Sequence, residues 1–224
     1  MNTIVEVNTV INVILADDHD LFRDSLKILL EQDEEIRIVA FARNGKEAFE
    51  LCKQYEPDIV LMDVLMPGCT GVEGVRLIKE EFPKVKVIML TSLNDDYNIS
   101  QALIYGAEGY LSKNLRGEEL IKSIKSVNGG MVAMKQDTLN TIVKQFDSKG
   151  VKSEPENKGL EIELSDRERE LIRLLVEGLS NKEIAAYFKT SEGSVKNNIS
   201  LLLKRLGLEG RVQLVVYAVR NGLV

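Results

Sequence analysis

The chain reads as an α/β protein, a doubly wound five-stranded parallel sheet, followed by a small all-α domain. Three observations predict this. Five short apolar runs alternate with five amphipathic segments between Asn12 and Gly130. The apolar runs are continuous, as expected of parallel strands covered by helices on both faces. After Leu164 every segment has helical periodicity and no strand pattern returns. Between the two parts, Gln145 to Glu163 contains Lys149-Gly150, Glu154-Pro155-Glu156-Asn157 and Lys158-Gly159, with few large apolar residues, which is a linker composition. The expected division is 11–130 for the α/β domain, 131–160 for the linker and 161–224 for the helical domain.

The elements follow in order. Val13-Ile14-Leu15-Ala16 is the first buried strand and ends in Asp17-Asp18. Leu21, Phe22, Leu26, Leu29 and Leu30 recur at helical spacing. Ile36 to Phe41 is the second strand and Gly45 to Tyr55 the second helix. Ile59-Val60-Leu61-Met62 is a third apolar run, ending at Asp63. Val72, Val75, Leu77 and Ile78 mark the third helix. Val85 to Leu90 is the fourth strand, with a helix near Asn94 to Tyr105 after it. Gly109 to Ser112 is a short fifth strand, and Glu118 to Val127 a fifth helix stopped by Asn128-Gly129-Gly130. In the helical domain, Ser165 with Glu168 and Ser180 with Glu183 have capping-box spacing. A third helix carries Val195, Ile199, Leu202, Leu203 and Leu206 and ends near Gly207. A fourth runs from about Gly210 to Asn221. Met1 to Val10 lack the basic and apolar regions of a signal peptide and read as a short extension, or an artefact.

Composition narrows the function. A hydrophobic fraction of 44% and a charged fraction of 29% exclude whole-chain disorder. Two cysteines, Cys52 and Cys69, and one histidine, His19, make neither a disulfide framework nor a Cys-rich zinc site. No apolar run approaches the roughly 18 residues that span a bilayer. The expectation is a cytoplasmic protein without a membrane partner. The net charge of −6 argues against nucleic acid only if it is evenly spread. It is not: residues 160–224 hold ten Lys/Arg and nine Asp/Glu, a net of +1, which leaves −7 for residues 1–159.

A doubly wound sheet presents its functional groups at the carboxyl ends of its strands. Here these ends carry Asp17-Asp18, Asp63 and Thr91, with Lys113 just past the fifth strand. Each residue alone has an ordinary reading, as a helix cap, a turn residue or a solvated lysine. Together, if the first and third strands are neighbours, three carboxylates converge. Their repulsion is tolerable around a hard divalent cation such as Mg²⁺, which takes oxygen ligands. Carboxylate, cation, ammonium and hydroxyl suit binding and transfer of a phosphoryl group.

Ala16-Asp17-Asp18-His19, Ile59 to Pro67, Leu90-Thr91 and Gly106 to Lys113 resemble, in order and approximate spacing, a bacterial response-regulator receiver domain of flavodoxin-like fold. The resemblance implies that Asp63 accepts a phosphoryl group from a sensor histidine kinase. It implies that Asp18 binds Mg²⁺ directly, Asp17 contributes through water, and Asp63 and the Leu65 carbonyl complete the protein ligands. Lys113 would pair with the phosphoryl group, Thr91 would move toward it, and Tyr110 would change rotamer. His19 fits as the residue after the Asp pair, not as a phosphoacceptor.

Leu164 to Glu168, Gly178 to Ala185 and Thr190 to Asn197 resemble a LuxR-type helix-turn-helix of the NarL/FixJ regulators. Ser180 to Phe188 would support a recognition helix, Glu192 to Leu206, entering the major groove of double-stranded DNA. Its core face leaves Lys196, Asn197 and Ser200 to reach bases or phosphates, with Ser191, Ser194 and Lys204 as phosphate contacts. The last helix has two apolar stripes, Val212/Val216/Val219/Leu223 and Leu214/Tyr217/Ala218. One serves the domain's own core, so the second either meets a partner or belongs to a helix that is simply well buried. The resemblance assigns Val212, Val216 and Val219 to dimerisation, and RNA polymerase is a further expected partner. The implied protein is not an enzyme. A haloacid-dehalogenase-type phosphatase would want a second Asp two residues after Asp63, where Leu65 stands. A regulator that binds DNA without phosphorylation, and a scaffold without DNA binding, are the other readings.

Overall fold

The computed structural model describes residues 10–92, 96–133, 163–208 and 210–223. All but Val10 of the expected N-terminal extension and all but residues 131–133 of the expected linker lie outside these residues. The first domain runs β1 (Ile11–Ala16), α1 (Asp20–Leu30), β2 (Ile36–Ala42), α2 (Gly45–Tyr55), β3 (Ile59–Asp63), α3 (Gly71–Glu81), β4 (Lys86–Thr91), α4 (Asp96–Ile104), β5 (Gly109–Ser112) and α5 (Gly117–Asn128). The five strands are parallel, in the order β2-β1-β3-β4-β5. Expected and observed boundaries differ by a residue or two. Val85, for instance, precedes β4, because its N–H closes a turn onto the Phe82 carbonyl.

Strand alternation sorts the core into two layers. Val13, Leu15, Ile59, Leu61, Ile88 and Leu90 point to one side, against Leu30, Leu120, Ile124 and Val127 of α1 and α5. Ile14, Val60, Met62, Val87 and Met89 point to the other, against Ala48, Cys52, Val75, Ile78, Ala102 and Leu103 of α2, α3 and α4. Burial on both faces is why these strands are continuous apolar runs. On the second side α2 and α3 approach so closely that a Cβ on Gly74 would stand 2.7 Å from the Gly45 Cα. The Asn44 side chain caps α2, and Thr70 and Glu73 form a capping box on α3.

The second domain has four helices among its described residues: α6 (Asp166–Val176), α7 (Asn181–Tyr187), α8 (Glu192–Leu206) and α9 (Arg211–Arg220). Both expected capping boxes, Ser165/Glu168 and Ser180/Glu183, are present. Lys189 turns the chain between α7 and α8 with φ 50. Leu171, Ile172, Leu175, Ile184, Val195, Ile199, Leu202 and Leu206 build the core, with Leu214 and Ala218 of α9 closing it.

The second stripe of α9 differs from the periodic reading in one member. Leu223 packs against the helical-domain core instead of continuing the outer stripe. The helix ends at Arg220, Gly222 adopts φ 59, and the Leu223 N–H turns back onto the Ala218 carbonyl. Val212 and Val216 are both 2% exposed and belong to the α/β domain's core cluster. The two domains therefore meet along α9.

Candidate phosphoryl site and nucleic-acid face

Strand order brings the acidic residues together. β1 and β3 are direct neighbours, with Ala16 opposite Met62, so Asp17 and Asp63 leave the sheet side by side. Ligand atoms from Asp17, Asp18, His19 and Asp63 all lie within 4.8 Å of one another. Asp17 and Asp63 are buried, whereas Asp18 and His19 face solvent. Lys113, placed by β5, puts its Nζ 2.7 Å from Asp17 Oδ2 and 2.9 Å from Asp63 Oδ2. The remaining Asp63 oxygen accepts the Val64 N–H at 2.8 Å.

The electrostatics follow from this packing. Burial pushes the Asp63 carboxyl above its ordinary value, Lys113 pulls it back, and nearby Asp17 pushes it up again. Burial acts to lower the Lys113 ammonium, but Asp17 and Asp63 outweigh it and the net direction is upward. Three carboxylates against one ammonium leave an excess of negative charge. This is a fit to a hard divalent cation, because every acidic donor is an oxygen and the cluster is already compact. Beside it, His19, Asp63, Val64, Leu65, Thr91, Ser92 and Lys113 line an open cavity of about 170 Å³. Thr91 is buried at the end of β4. Tyr110 is 5% exposed and lies within the core cluster on the α4 side of the sheet.

Sequence reasoning missed one member of this site, Arg23, and gave His19 its place after the Asp pair without its contacts. Arg23 is buried on α1 and donates to the Asp17 carbonyl and to Asp20, so it holds the loop that carries the acidic pair. An arginine on the inner face of an amphipathic helix was the available signal. His19 bridges Asp17 and Asp18, with its Nδ1 at 3.2 and 2.9 Å from their oxygens.

On α8 the expected nucleic-acid residues Ser191, Ser194, Lys196, Asn197, Ser200 and Lys204 are all exposed. They share a face because Val195, Ile199, Leu202 and Leu206 take the other. Ser191 caps the helix by accepting the Ser194 N–H at 3.1 Å, and the Ser200 hydroxyl donates to the Lys196 carbonyl at 3.0 Å. Of the expected dimer residues, Val219 is exposed while Val212 and Val216 are covered by the α/β domain. Among the described residues no helix is long and apolar enough to cross a membrane.

Comparison with known proteins places both domains. Residues 13–125 match the response regulator receiver domain, and residues 163–218 match the bacterial regulatory proteins of the luxR family. The chain is 43% identical over 216 residues to the transcriptional regulatory protein LnrK of Bacillus subtilis, covering 95% of this chain and 98% of that one. It is 33% identical over 234 residues to the transcriptional regulatory protein DegU of Brevibacillus brevis, covering 100% and 99%. Among solved structures, a LuxR-family two-component response regulator from Aurantimonas sp. SI85-9A1 is 29% identical with a TM-score of 0.57, covering 61% of this chain and 98% of that one. The response regulator ChrA of a heme-sensing two-component system is 26% identical with a TM-score of 0.52, covering 96% and 99%.

Proposed function

Because the chain belongs to the response regulators that join a receiver to a LuxR-type DNA-binding domain and regulate transcription, we propose that Asp63 is its phosphoacceptor and that a sensor histidine kinase is the donor. The observation that carries this reading is the Asp63 carboxylate, buried at the end of β3, paired with Lys113 and facing the open cavity. An Asp63 oxygen attacks the phosphorus, the P–N bond of the donor phosphohistidine breaks, and the imidazole leaves with the electron pair. Asp18, Asp17, Asp63 and the Leu65 carbonyl would hold Mg²⁺, Asp17 through water, and the ion would neutralise phosphoryl charge there. Lys113 exchanges part of its carboxylate pairing for the phosphoryl oxygens, and the Thr91 hydroxyl turns toward them. Tyr110 repacks in response, which alters the surface around α4 and β5.

The output is sequence-specific binding of double-stranded DNA by α8. Lys196, Asn197 and Ser200 reach base edges or phosphates, while Ser191, Ser194 and Lys204 hold the backbone. Val212, Val216 and Val219 pair two copies so that two half-sites are read one helical turn apart. Bound in this way, the dimer acts on RNA polymerase from the cytoplasm, without catalytic turnover of its own.

Phosphate labelling of the full chain with radiolabelled acetyl phosphate and Mg²⁺ tests the assignment. Wild type takes up label and Asp63→Asn does not. Label retained at wild-type level in Asp63→Asn refutes the phosphoacceptor, and DNA affinity indifferent to Asp63→Asn under phosphorylating conditions refutes its link to output.

A further inference from the structure

The helical domain carries a cleft that neither the DNA reading nor the dimer reading uses. It has a volume of about 510 Å³ and lies between the start of α6, the end of α7 and the middle of α8. Small-molecule sites fall at roughly 300–1,000 Å³. Its floor is apolar: Leu171 and Val195 are buried there and Phe188 is half-buried. Leu201 also lines it and is 58% exposed, the one large apolar side chain of α8 that stands in solvent among the described residues. Two guanidinium groups stand over this floor. Arg205 is committed to Glu168 at 2.7 Å, and Glu168 also accepts from the Ser165 N–H and hydroxyl in the α6 capping box, so these two charges cancel locally. Arg167 holds its guanidinium carbon 5.1 Å from the centre of the Phe188 ring and forms no ion pair with another described residue. The lining is therefore left with one uncompensated positive charge beside an apolar floor.

We propose that this cleft binds a small amphipathic carboxylate, with the apolar body on Leu171, Phe188, Val195 and Leu201 and the carboxylate on Arg167. The charge selects the anion, because a guanidinium offers a planar fork of donors that pairs a carboxylate bidentately. The floor selects the apolar body, whose surface leaves water as it settles on the side chains below. The shape selects a small molecule over a protein segment. A protein partner covers roughly 800 Å² on each side and needs several apolar anchors around the cleft. Here the rim is Ser165, Thr190 and Asn198, and Leu201 is the one exposed apolar residue in the lining. The site is independent of the phosphoryl and dimer readings. One part of it rests on the DNA reading of α8. Val195, Asn198, Leu201 and Arg205 form a single stripe, about a third of a turn from Lys196, Asn197, Ser200 and Lys204. Ligand and duplex thus occupy different flanks of one helix and bind at the same time, and any effect of one on the affinity of the other is reciprocal.

The test titrates two probes calorimetrically into the full chain, 2-naphthoate and its neutral counterpart 2-naphthamide. Wild type is expected to take one 2-naphthoate per chain and to bind 2-naphthamide at least about fivefold more weakly. Arg167→Gln removes the charge from an exposed side chain. It should weaken 2-naphthoate at least about fivefold and leave the two probes within about twofold of each other. Leu201→Asn, also at an exposed position, should weaken both probes alike by about threefold, because it removes floor and not charge. The absence of saturable 2-naphthoate binding by wild type overturns the proposal. A carboxylate preference that survives in Arg167→Gln overturns it too, as does uptake at several sites indifferent to both variants. The titration is then repeated on chain saturated with a duplex selected by wild type from random DNA. One 2-naphthoate should still bind per chain. Exclusion of 2-naphthoate by the duplex overturns the proposal, because the cleft would then belong to the DNA face, and the DNA reading stands. If the probes behave as expected but no duplex is selected, the DNA reading fails and the carboxylate site stands.

Discussion

Replacing Lys113 by methionine removes the ammonium from the acidic site while keeping most of its apolar stem. The Nζ stands 2.7 Å from Asp17 and 2.9 Å from Asp63, on a side chain 12% exposed. At an effective dielectric of about 20 each contact is worth roughly 6 kcal/mol before desolvation. Desolvation cancels much of this, and removing one partner of a buried pair costs about 3–5 kcal/mol. The cavity opens to solvent beside the pair, so the lower end applies, about 3 kcal/mol at pH 7. The pH dependence has a definite sign. Burial holds Asp63 above its ordinary value of 3.8 even with Lys113 in place, and without the ammonium it rises further. A carboxyl with a raised folded pKa favours the folded state below that window and penalises it as pH climbs through it. The variant therefore loses most stability at neutral pH and approaches wild type toward pH 4. In wild type the Lys113 pKa is raised instead, so its contribution persists at neutral pH and is lost only above the ordinary lysine value of 10.5. Urea denaturation at pH 7 and pH 4.5, with EDTA or with millimolar Mg²⁺, measures this. The variant should recover part of its loss at the lower pH and part with Mg²⁺ at pH 7. An equal loss at both pH values, with no response to Mg²⁺, refutes the electrostatic account of the site.

Two further predictions concern the framework and the output. Gly74→Ala places a methyl 2.7 Å from the Gly45 Cα and 2.9 Å from Met62 Sδ. Overpacking costs about 1–3 kcal/mol and the gain in helix propensity returns at most about 1. Urea unfolding should thus show a net loss of about 1–2 kcal/mol, and a stabilised variant would mean that α2 and α3 are less tightly opposed. Lys196→Ala and Lys204→Ala should each weaken DNA binding and reduce the slope of log K against log salt by about 0.9 if each residue contacts a phosphate. Titrations at several salt concentrations decide this, and an unchanged slope removes that lysine from the backbone contacts.

The parts legible in the sequence are those with local causes. Continuous apolar runs mark the strands because both sheet faces are covered, and Ser165 and Ser180 mark helix starts because a capping box spans only four residues. The acidic cluster was legible at one remove. Asp17 and Asp63 are 46 positions apart, yet both end a strand, and any strand order that pairs β1 with β3 brings them together. What stayed hidden depends on contacts that no local pattern records. Arg23 looks like one more polar residue on α1 until the loop of Asp17 is folded over it. Leu223 follows the outer stripe by spacing, but Gly222 reverses the chain before it can join. The two stripes of α9 are plain in the periodicity, while the identity of what covers the outer one is a tertiary fact.

The charge of the helical domain bears on the proposed pairing. The helical segment 160–224 has a net charge of only +1, so one copy has little non-specific attraction for DNA and depends on a few placed cations. Each phosphate contact contributes a salt slope of about 0.9, and two linked copies double the number of contacts while making the second binding event intramolecular. Under the proposed dimer reading, pairing therefore supplies affinity that so little bulk charge does not.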